Sequence, residues 1–236
     1  MGGRTAFSMK NADTWAFALC AAGGAGSRGA CIGLMGQRAS ETGGVRMDWA
    51  DGKRRCCWAN PKNERYIRYH DEEWGVPVHD DHKLFEMLVL ECFQAGLSWE
   101  CVLNKREAFR EAFDGFDLEA VCGYGEEKMA SLRSNAGIIR NRLKIEAAVT
   151  NARAFRAIQQ EYGSFGEYLW HWTDGQVVYE KGRTQSELSD RISMDLRKRG
   201  MKFVGSTVIY AYLQAVGVIY AHDAGCFLEW NKEEKR

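Results

Sequence analysis

The sequence predicts an all-α fold, and three observations lead there. Apolar residues recur at helical rather than strand spacing over long stretches, only two prolines (Pro61 and Pro77) interrupt 236 residues, and a hydrophobic content of 45% supplies a packed core. At this length the chain accommodates one or two domains. Lysine plus arginine equals aspartate plus glutamate at 32 each, so net charge excludes no class of partner. The distribution says more. Residues 1–46 hold five basic and two acidic side chains, net +3, which leaves 47–236 at −3, so a nucleic-acid surface would have to be a local patch. Eight cysteines at irregular spacing in a chain this large fit a reducing compartment better than a disulfide framework. No apolar run reaches the roughly 18 residues of a membrane span.

Residues 1–50 are rich in Gly, Ala and Ser and lack a sustained amphipathic period. The run 15–22 is weakly like a signal-peptide core, though short and flanked by Asp13. Transit peptide, signal-like leader and disordered extension all remain open, with disorder, or a true start at Met47, preferred. The folded domain is expected over 54–230. There, Cys56, Cys57 and Trp58 lead past Pro61 into Tyr66, Tyr69, His70, Glu73 and Trp74. Rings alternate with polar groups too densely for an ordinary amphipathic helix, and the stretch reads as a pocket wall.

Residues 84–95 read as the central helix. Leu84, Leu88, Glu91 and Ala95 share one face at i, i+4, i+7 and i+11, while Lys83 and Glu86 point elsewhere. Glu91 thus lies on the apolar stripe. A carboxylate there needs partners or takes up a proton, because burial disfavours its ionised form, and either outcome makes it a candidate working group. Gly96 breaks the helix, and Trp99 adds a large flat ring close by. A glutamate paired to an arginine, with a tryptophan filling core, is the structural alternative and carries equal weight at this point.

Shorter helices follow at 105–113, at 117–121 with Asp117 as N-cap, and at 126–134. Residues 134–145 read as a helix end, a tight turn around Gly137 and a new helix running to about Tyr162. Such a helix-hairpin-helix offers backbone N–H groups and a helix N-terminus to a phosphate, with Arg140, Arg142 and Lys144 nearby. A plain antiparallel helix pair with a solvated basic face fits equally well. Residues 186–199 are amphipathic through Leu188, Ile192 and Leu196, with Gly200 as the stop and a second basic cluster at 197–202. An apolar helix then runs to near Tyr220.

Cys56 and His70 stand fourteen positions apart near the start of the compact region, and His222 and Cys226 form an H-x3-C pair at its end, on one side of a helical turn. Two sulfurs and two imidazoles make a closed tetrahedral set for one structural zinc, which would staple the ends of the domain and fix the loop of Tyr66, Tyr69 and Trp74. Neither pair matches a zinc finger, and Cys57 could replace Cys56.

Seven segments, in order, carry a resemblance. They are Arg55-Cys56-x-Trp58, Tyr69-His70-Asp71-x-Glu73-Trp74-Gly75-Val76-Pro77, Leu84-Phe85-Glu86, Glu91-x-x-Gln94-Ala95-Gly96-Leu97-Ser98-Trp99, Asn135-Ala136-Gly137-Ile138-Ile139-Arg140, Lys198-Arg199-Gly200-x-Lys202-Phe203-Val204-Gly205 and His222-x-x-x-Cys226. Together they resemble the DNA-3-methyladenine glycosylase I family. The resemblance implies an all-α fold of the helix-hairpin-helix glycosylase superfamily, a structural zinc on Cys56, His70, His222 and Cys226, and removal of 3-methyladenine from alkylated double-stranded DNA. It also implies a monomer of the bacterial cytoplasm acting at the nucleoid, with organelle targeting by residues 1–50 left open. By position, Glu91 is the catalytic carboxylate and contacts the base with Tyr69, Trp99 stacks on it, and Trp58, Tyr66 and Trp74 share the pocket. Leu97, beside Gly96, matches the side chain that plugs the duplex, and Gly137, Lys144 and Lys202 fall among the DNA contacts. Cys57 in place of the usual glycine, and Cys92-Phe93 between Glu91 and Gln94, are the departures.

The chemistry implied agrees with the residue types. A base must leave the stack before its bond to the sugar can be reached. Once out, 3-methyladenine is cationic and already a good leaving group, so selection rests on aromatic faces and a buried carboxylate. No aspartate occurs between Asp117 and Asp174, where related enzymes carry a catalytic one beyond the hairpin, and Lys144 reads as a phosphate contact rather than a lyase nucleophile. A monofunctional enzyme follows. The competing readings are a zinc-stapled module that binds damaged DNA without chemistry, and an enzyme acting on a free methylated purine or nucleoside.

Overall fold

A computed structural model describes residues 49–230; the expectations for an amino-terminal extension and a start at Met47 fall on 1–48, outside the described residues. The periodicity predicts helices, and the frame is α1 (Glu64–Glu72), α2 (Asp81–Gln94), α3 (Trp99–Asn104), α4 (Arg106–Ala112), α5 (Leu118–Cys122), α6 (Glu126–Ser134), α7 (Arg142–Tyr162), α8 (Phe165–Trp170), α9 (Glu187–Lys198) and α10 (Ser206–Ala215). Every residue of α2 from Leu84 to Phe93 is buried, and the helix packs against α3, α7, α8 and α10. A helix covered on all sides is the centre of its fold.

Side chains fix its entry. Asp80 caps α2 by accepting from Lys83 N, and Asp81 accepts from Gln159 Nε2 and from the N–H groups of Phe165 and Gly166, tying α2 to the end of α7 and the start of α8. Glycine is required at 166, because a Cβ there would stand 2.7 Å from His79 O. Around this hub Phe155 stacks on Phe165 at 3.9 Å and meets Phe85 edge-on at 5.2 Å, while Phe93 packs edge-on against Phe109 and Phe113.

Several sequence expectations hold: Asp117 caps α5, α6 spans 126–134, α7 reaches Tyr162, and the amphipathic helix of 186–199 is α9 with Gly200 beyond its end at φ +92; the structure adds a Ser186–Ser189 capping box at its start. Others need correction. The dense stretch from Tyr66 is a helix after all, because Tyr66, Tyr69 and His70 fall at i, i+3 and i+4 and bury together under an Asn63 cap. The helix expected at 105–113 is α4, separated at Lys105 from α3, which Ser98 caps.

The last helix stops at Ala215 rather than near Tyr220. Gly217, at φ +73, lies so close to the Val76–Pro77 peptide that a Cβ would come within 2.3 Å of Val76 C, and Val78 N donates to Val216 O. The chain is drawn out of the helix there. It then forms a short parallel bridge, β1 (Val178–Tyr179) with β2 (Ile219–Tyr220), so the fold is mostly helical rather than strictly all-α. No helix among the described residues is long and apolar enough to cross a membrane.

Candidate active site and metal centre

Five rings converge from three parts of the chain. Trp58, ahead of α1, lies 5.3 Å from Tyr66, 4.9 Å from Trp74 and 6.4 Å from Tyr69, and Tyr69 in turn lies 5.1 Å from Trp99 on the first turn of α3. All but Trp58 are buried. Glu91 of α2 joins them: the Tyr69 hydroxyl is raised first by burial and then by the Glu91 charge. Glu91 is 3% exposed, its Oε2 has no partner, and burial pushes its pKa up to about 8. Trp99 Nε1 is likewise buried without a partner. Two such atoms in a ring-lined site are what a polar ligand would satisfy.

The paired glutamate of the structural alternative exists, but it is Glu86. Expected to point away from the core, Glu86 is 2% exposed and accepts from Arg106 Nε at 2.8 Å, Arg106 Nη2 at 3.2 Å and Arg110 Nε at 2.8 Å. Burial raises its pKa, but these guanidinium hydrogen bonds outweigh burial and hold the carboxyl at about 2. Arg106 also donates to both oxygens of Glu73, next to Trp74, and Lys83 reaches Glu73 at 2.8 Å. This network, which the periodicity hid, fastens the end of the pocket wall to α2 and α4.

Behind the rings lie four donors. Cys56, His70, His222 and Cys226 are all buried, with their ligand atoms within 4.8 Å of one another. Cys56 Sγ is 3.4 Å from His222 Nδ1, and Cys226 Sγ is 3.5 Å from His70 Nε2 and 3.6 Å from His222 Nδ1. A tetrahedral ion with bonds of about 2.3 Å to sulfur and about 2.05 Å to nitrogen requires sulfur and nitrogen about 3.5 Å apart, so the donor set fits such a metal. His70 Nδ1 meets Asp71 Oδ1 at 2.8 Å, and Arg55 holds Asp71 through two bonds of 2.8 and 2.6 Å, an outer layer that turns Nε2 toward the centre. Cys57 is exposed and lies outside the set. His70 stands 5.2 Å from Trp58 and His222 stands 4.6 Å from Trp74, so the four-donor cluster backs directly onto the rings.

Of the residues expected at DNA, Gly96 and Leu97 lie just beyond the end of α2. Residues 94–97 form a type II turn: Ala95 at φ −43, ψ 114, Gly96 at φ +81, and Leu97 N donating to Gln94 O at 2.6 Å. Leu97 stands 43% exposed on it. Lys144 departs from the expected surface phosphate contact, being 7% exposed with Nζ donating to Phe93 O at 2.7 Å and Ala95 O at 2.5 Å. Its side chain fastens the end of α2. Lys202 is exposed, and its backbone is gripped on both sides by Asn151 of α7, at 2.8 and 2.9 Å, beside Phe203 at φ +58. Gly137 sits in the turn between α6 and α7, where a Cβ would be 3.0 Å from Ala108 Cβ, and Lys105 Nζ donates to its carbonyl. Asn151 gave no signal in the sequence beyond a polar residue on a buried face. An open polar cleft of about 480 Å³ beside α1 and α3 is lined in part by Asn60, Asn63, Glu100 and Asn104, which hydrogen-bond one another.

The frame is mostly helical and buries a carboxyl with an unpartnered oxygen together with a cluster of aromatic rings. The methyladenine glycosylase family model matches residues 58–229. DNA-3-methyladenine glycosylase 1 of Escherichia coli K12 is 44% identical over 178 residues, which cover 73% of this chain and 95% of that protein. Among solved structures, 3-methyladenine DNA glycosylase I superposes with a TM-score of 0.72 at 44% identity over 75% of this chain and all of the other. A single-residue variant of a 3-methyladenine DNA glycosylase I, in complex with 3-methyladenine, superposes at 0.70 with 34% identity over 73% and 95%. The chain belongs to the methyladenine glycosylase family, and as such is a monofunctional glycosylase, a hydrolase.

Proposed function

We propose that this protein excises 3-methyladenine from alkylated double-stranded DNA by receiving the flipped base among Trp58, Tyr66, Tyr69, Trp74 and Trp99, against Glu91. The observation that carries the reading is the buried Glu91 carboxyl with an unpartnered oxygen, whose charge acts on Tyr66 and Tyr69 of the ring cluster. A cationic base supplies what that site lacks: its charge favours the ionised carboxylate, its N–H groups can donate to it, and its plane fits between rings. Neutral adenine brings no charge and gains less. As the C1′–N9 bond lengthens, its electron pair moves onto the ring and cancels the base's charge while positive charge grows on the sugar, where the Glu91 carboxylate stabilises it. Water adds to C1′ and loses a proton, leaving an abasic site and free 3-methyladenine.

Duplex is held, in this reading, on the helix-hairpin-helix of α6 and α7 around Gly137 and on Lys202, with Leu97 filling the gap left by the base. The four donors Cys56, His70, His222 and Cys226 hold one zinc, whose closed coordination leaves no position for water and supplies rigidity rather than chemistry. Analysis of the bases released from dimethyl-sulfate-treated DNA tests the whole reading. Release of 3-methyladenine supports it; tight binding without release would make the protein a damage-binding module instead.

A further inference from the structure

We infer that Lys144 is a positioning residue whose ammonium sets the type of the turn at residues 94–97, and thereby the direction in which Leu97 stands. The inference rests on the proposed role of Leu97 as the side chain that fills the duplex.

Type I and type II turns differ mainly by a rotation of roughly half a turn of their central peptide, here the one between Ala95 and Gly96. The Ala95 carbonyl therefore points to opposite sides in the two forms. Lys144 Nζ donates to that carbonyl at 2.5 Å and to Phe93 O at 2.7 Å. Both acceptors belong to the carbonyl end of α2, which has no intrahelical donors left and favours a positive charge. The dependence is mutual. Lys144 is 7% exposed and makes no ion pair among the described residues, so besides the Phe203 ring at 6.0 Å its partners are these two carbonyls, and flipping the Ala95 peptide would leave the buried ammonium with Phe93 O alone. The lysine is itself placed by the cap of α7, where Asn141 Oδ1 accepts from Lys144 N at 3.1 Å. One end of α7 thus follows the hairpin at Gly137 while the other side of its first turn dictates the Leu97 turn, so the two DNA-facing parts are held in a single register.

Lys144→Met keeps the aliphatic stem and removes the ammonium. Its affinity for free 3-methyladenine, read by tryptophan fluorescence, should stay within about twofold, whereas single-turnover release from alkylated duplex should fall on the order of tenfold or more. Release from alkylated single strands, which have no gap to fill, should fall far less. In a Leu97→Gly background the same substitution should add little. Gly96→Ala leaves Lys144 intact and meets nothing within 4 Å, but strains the φ of +81, and should reproduce the pattern even if Lys144→Met folds poorly. Independently of any activity, backbone chemical shifts of Gly96 should move toward negative φ in Lys144→Met. Unchanged Gly96 shifts, equal losses on single and double strands, or full additivity with Leu97→Gly would each overturn the inference. A wild-type protein that releases no base would instead overturn the proposed function and leave the Gly96 shifts to decide the role of Lys144.

Discussion

Glu91 and Glu86 lie five residues apart on one helix and have opposite fates. Both are buried, yet Glu86 meets two arginines and is held at about 2, whereas Glu91 has an orphan oxygen and is pushed up to about 8. The periodicity of residues 84–95 identifies Glu91 as a carboxyl on the apolar face, but cannot tell which acid an arginine reaches, because Arg106 and Arg110 arrive from a separate helix. Glu91→Gln, isosteric but uncharged, should lower 3-methyladenine release by about 10²-fold in single-turnover assays while leaving DNA binding intact. Its effect on stability has a defined sign. Below pH 4.5 the carboxyl is protonated in folded and unfolded chains alike; between there and about 8 the unfolded chain loses the proton that the fold retains, so the wild type is progressively destabilised. Urea melts should show Glu91→Gln gaining on the wild type across that window, by on the order of a few kcal/mol; a constant difference would mean the carboxyl is paired or hydrated. Trp99→Ala removes a ring face and should weaken 3-methyladenine binding by about 1–3 kcal/mol in a fluorescence or calorimetric titration.

Among elements, those whose ends are written locally were legible: Asp117 before α5 and Gly200 after α9 each act within a few residues of themselves. The end of α10 was not, because the peptide at Val76–Pro77 that forces it lies about 140 residues away in the chain. The junction of α2, α4 and the Glu73–Trp74 segment is likewise invisible to local pattern, and Arg106 is its centre. Arg106→Met should cost about 3–5 kcal/mol in urea unfolding at neutral pH, since it leaves Glu86 buried and only partly compensated. Glu86 is a depressed acid, so the stability it confers is present above pH 4.5 and lost as pH falls through about 2; the penalty of Arg106→Met should shrink over the same range. A penalty that ignores pH would place the loss in packing alone.

At the scale of the whole molecule, the four donors join residues 56 and 70 to 222 and 226, so the chain closes on itself behind the pocket. Purified protein should contain about one zinc per chain by elemental analysis, and His222→Ala should lose the metal and several kcal/mol of stability. Below its melting point, that variant should release base within about threefold of the wild-type rate, since His222 touches Trp74 but no part of the proposed base site except through it. What the sequence determined by itself was whatever depends on residue type and short spacing: the helical class, the cap at Asp117 and the stop at Gly200, a Cys and His donor set short of the choice between Cys56 and Cys57, the ring-bearing residues and Glu91 as a carboxyl out of place. Only the tertiary structure decided which glutamate is paired, that Cys56 and not Cys57 faces the histidines, that α10 ends early for a parallel bridge, and that Lys144 turns inward to the carbonyls of α2. The division has one physical cause. A buried charge takes whatever partner the packing brings within about 3 Å, and that partner comes from a distant part of the chain.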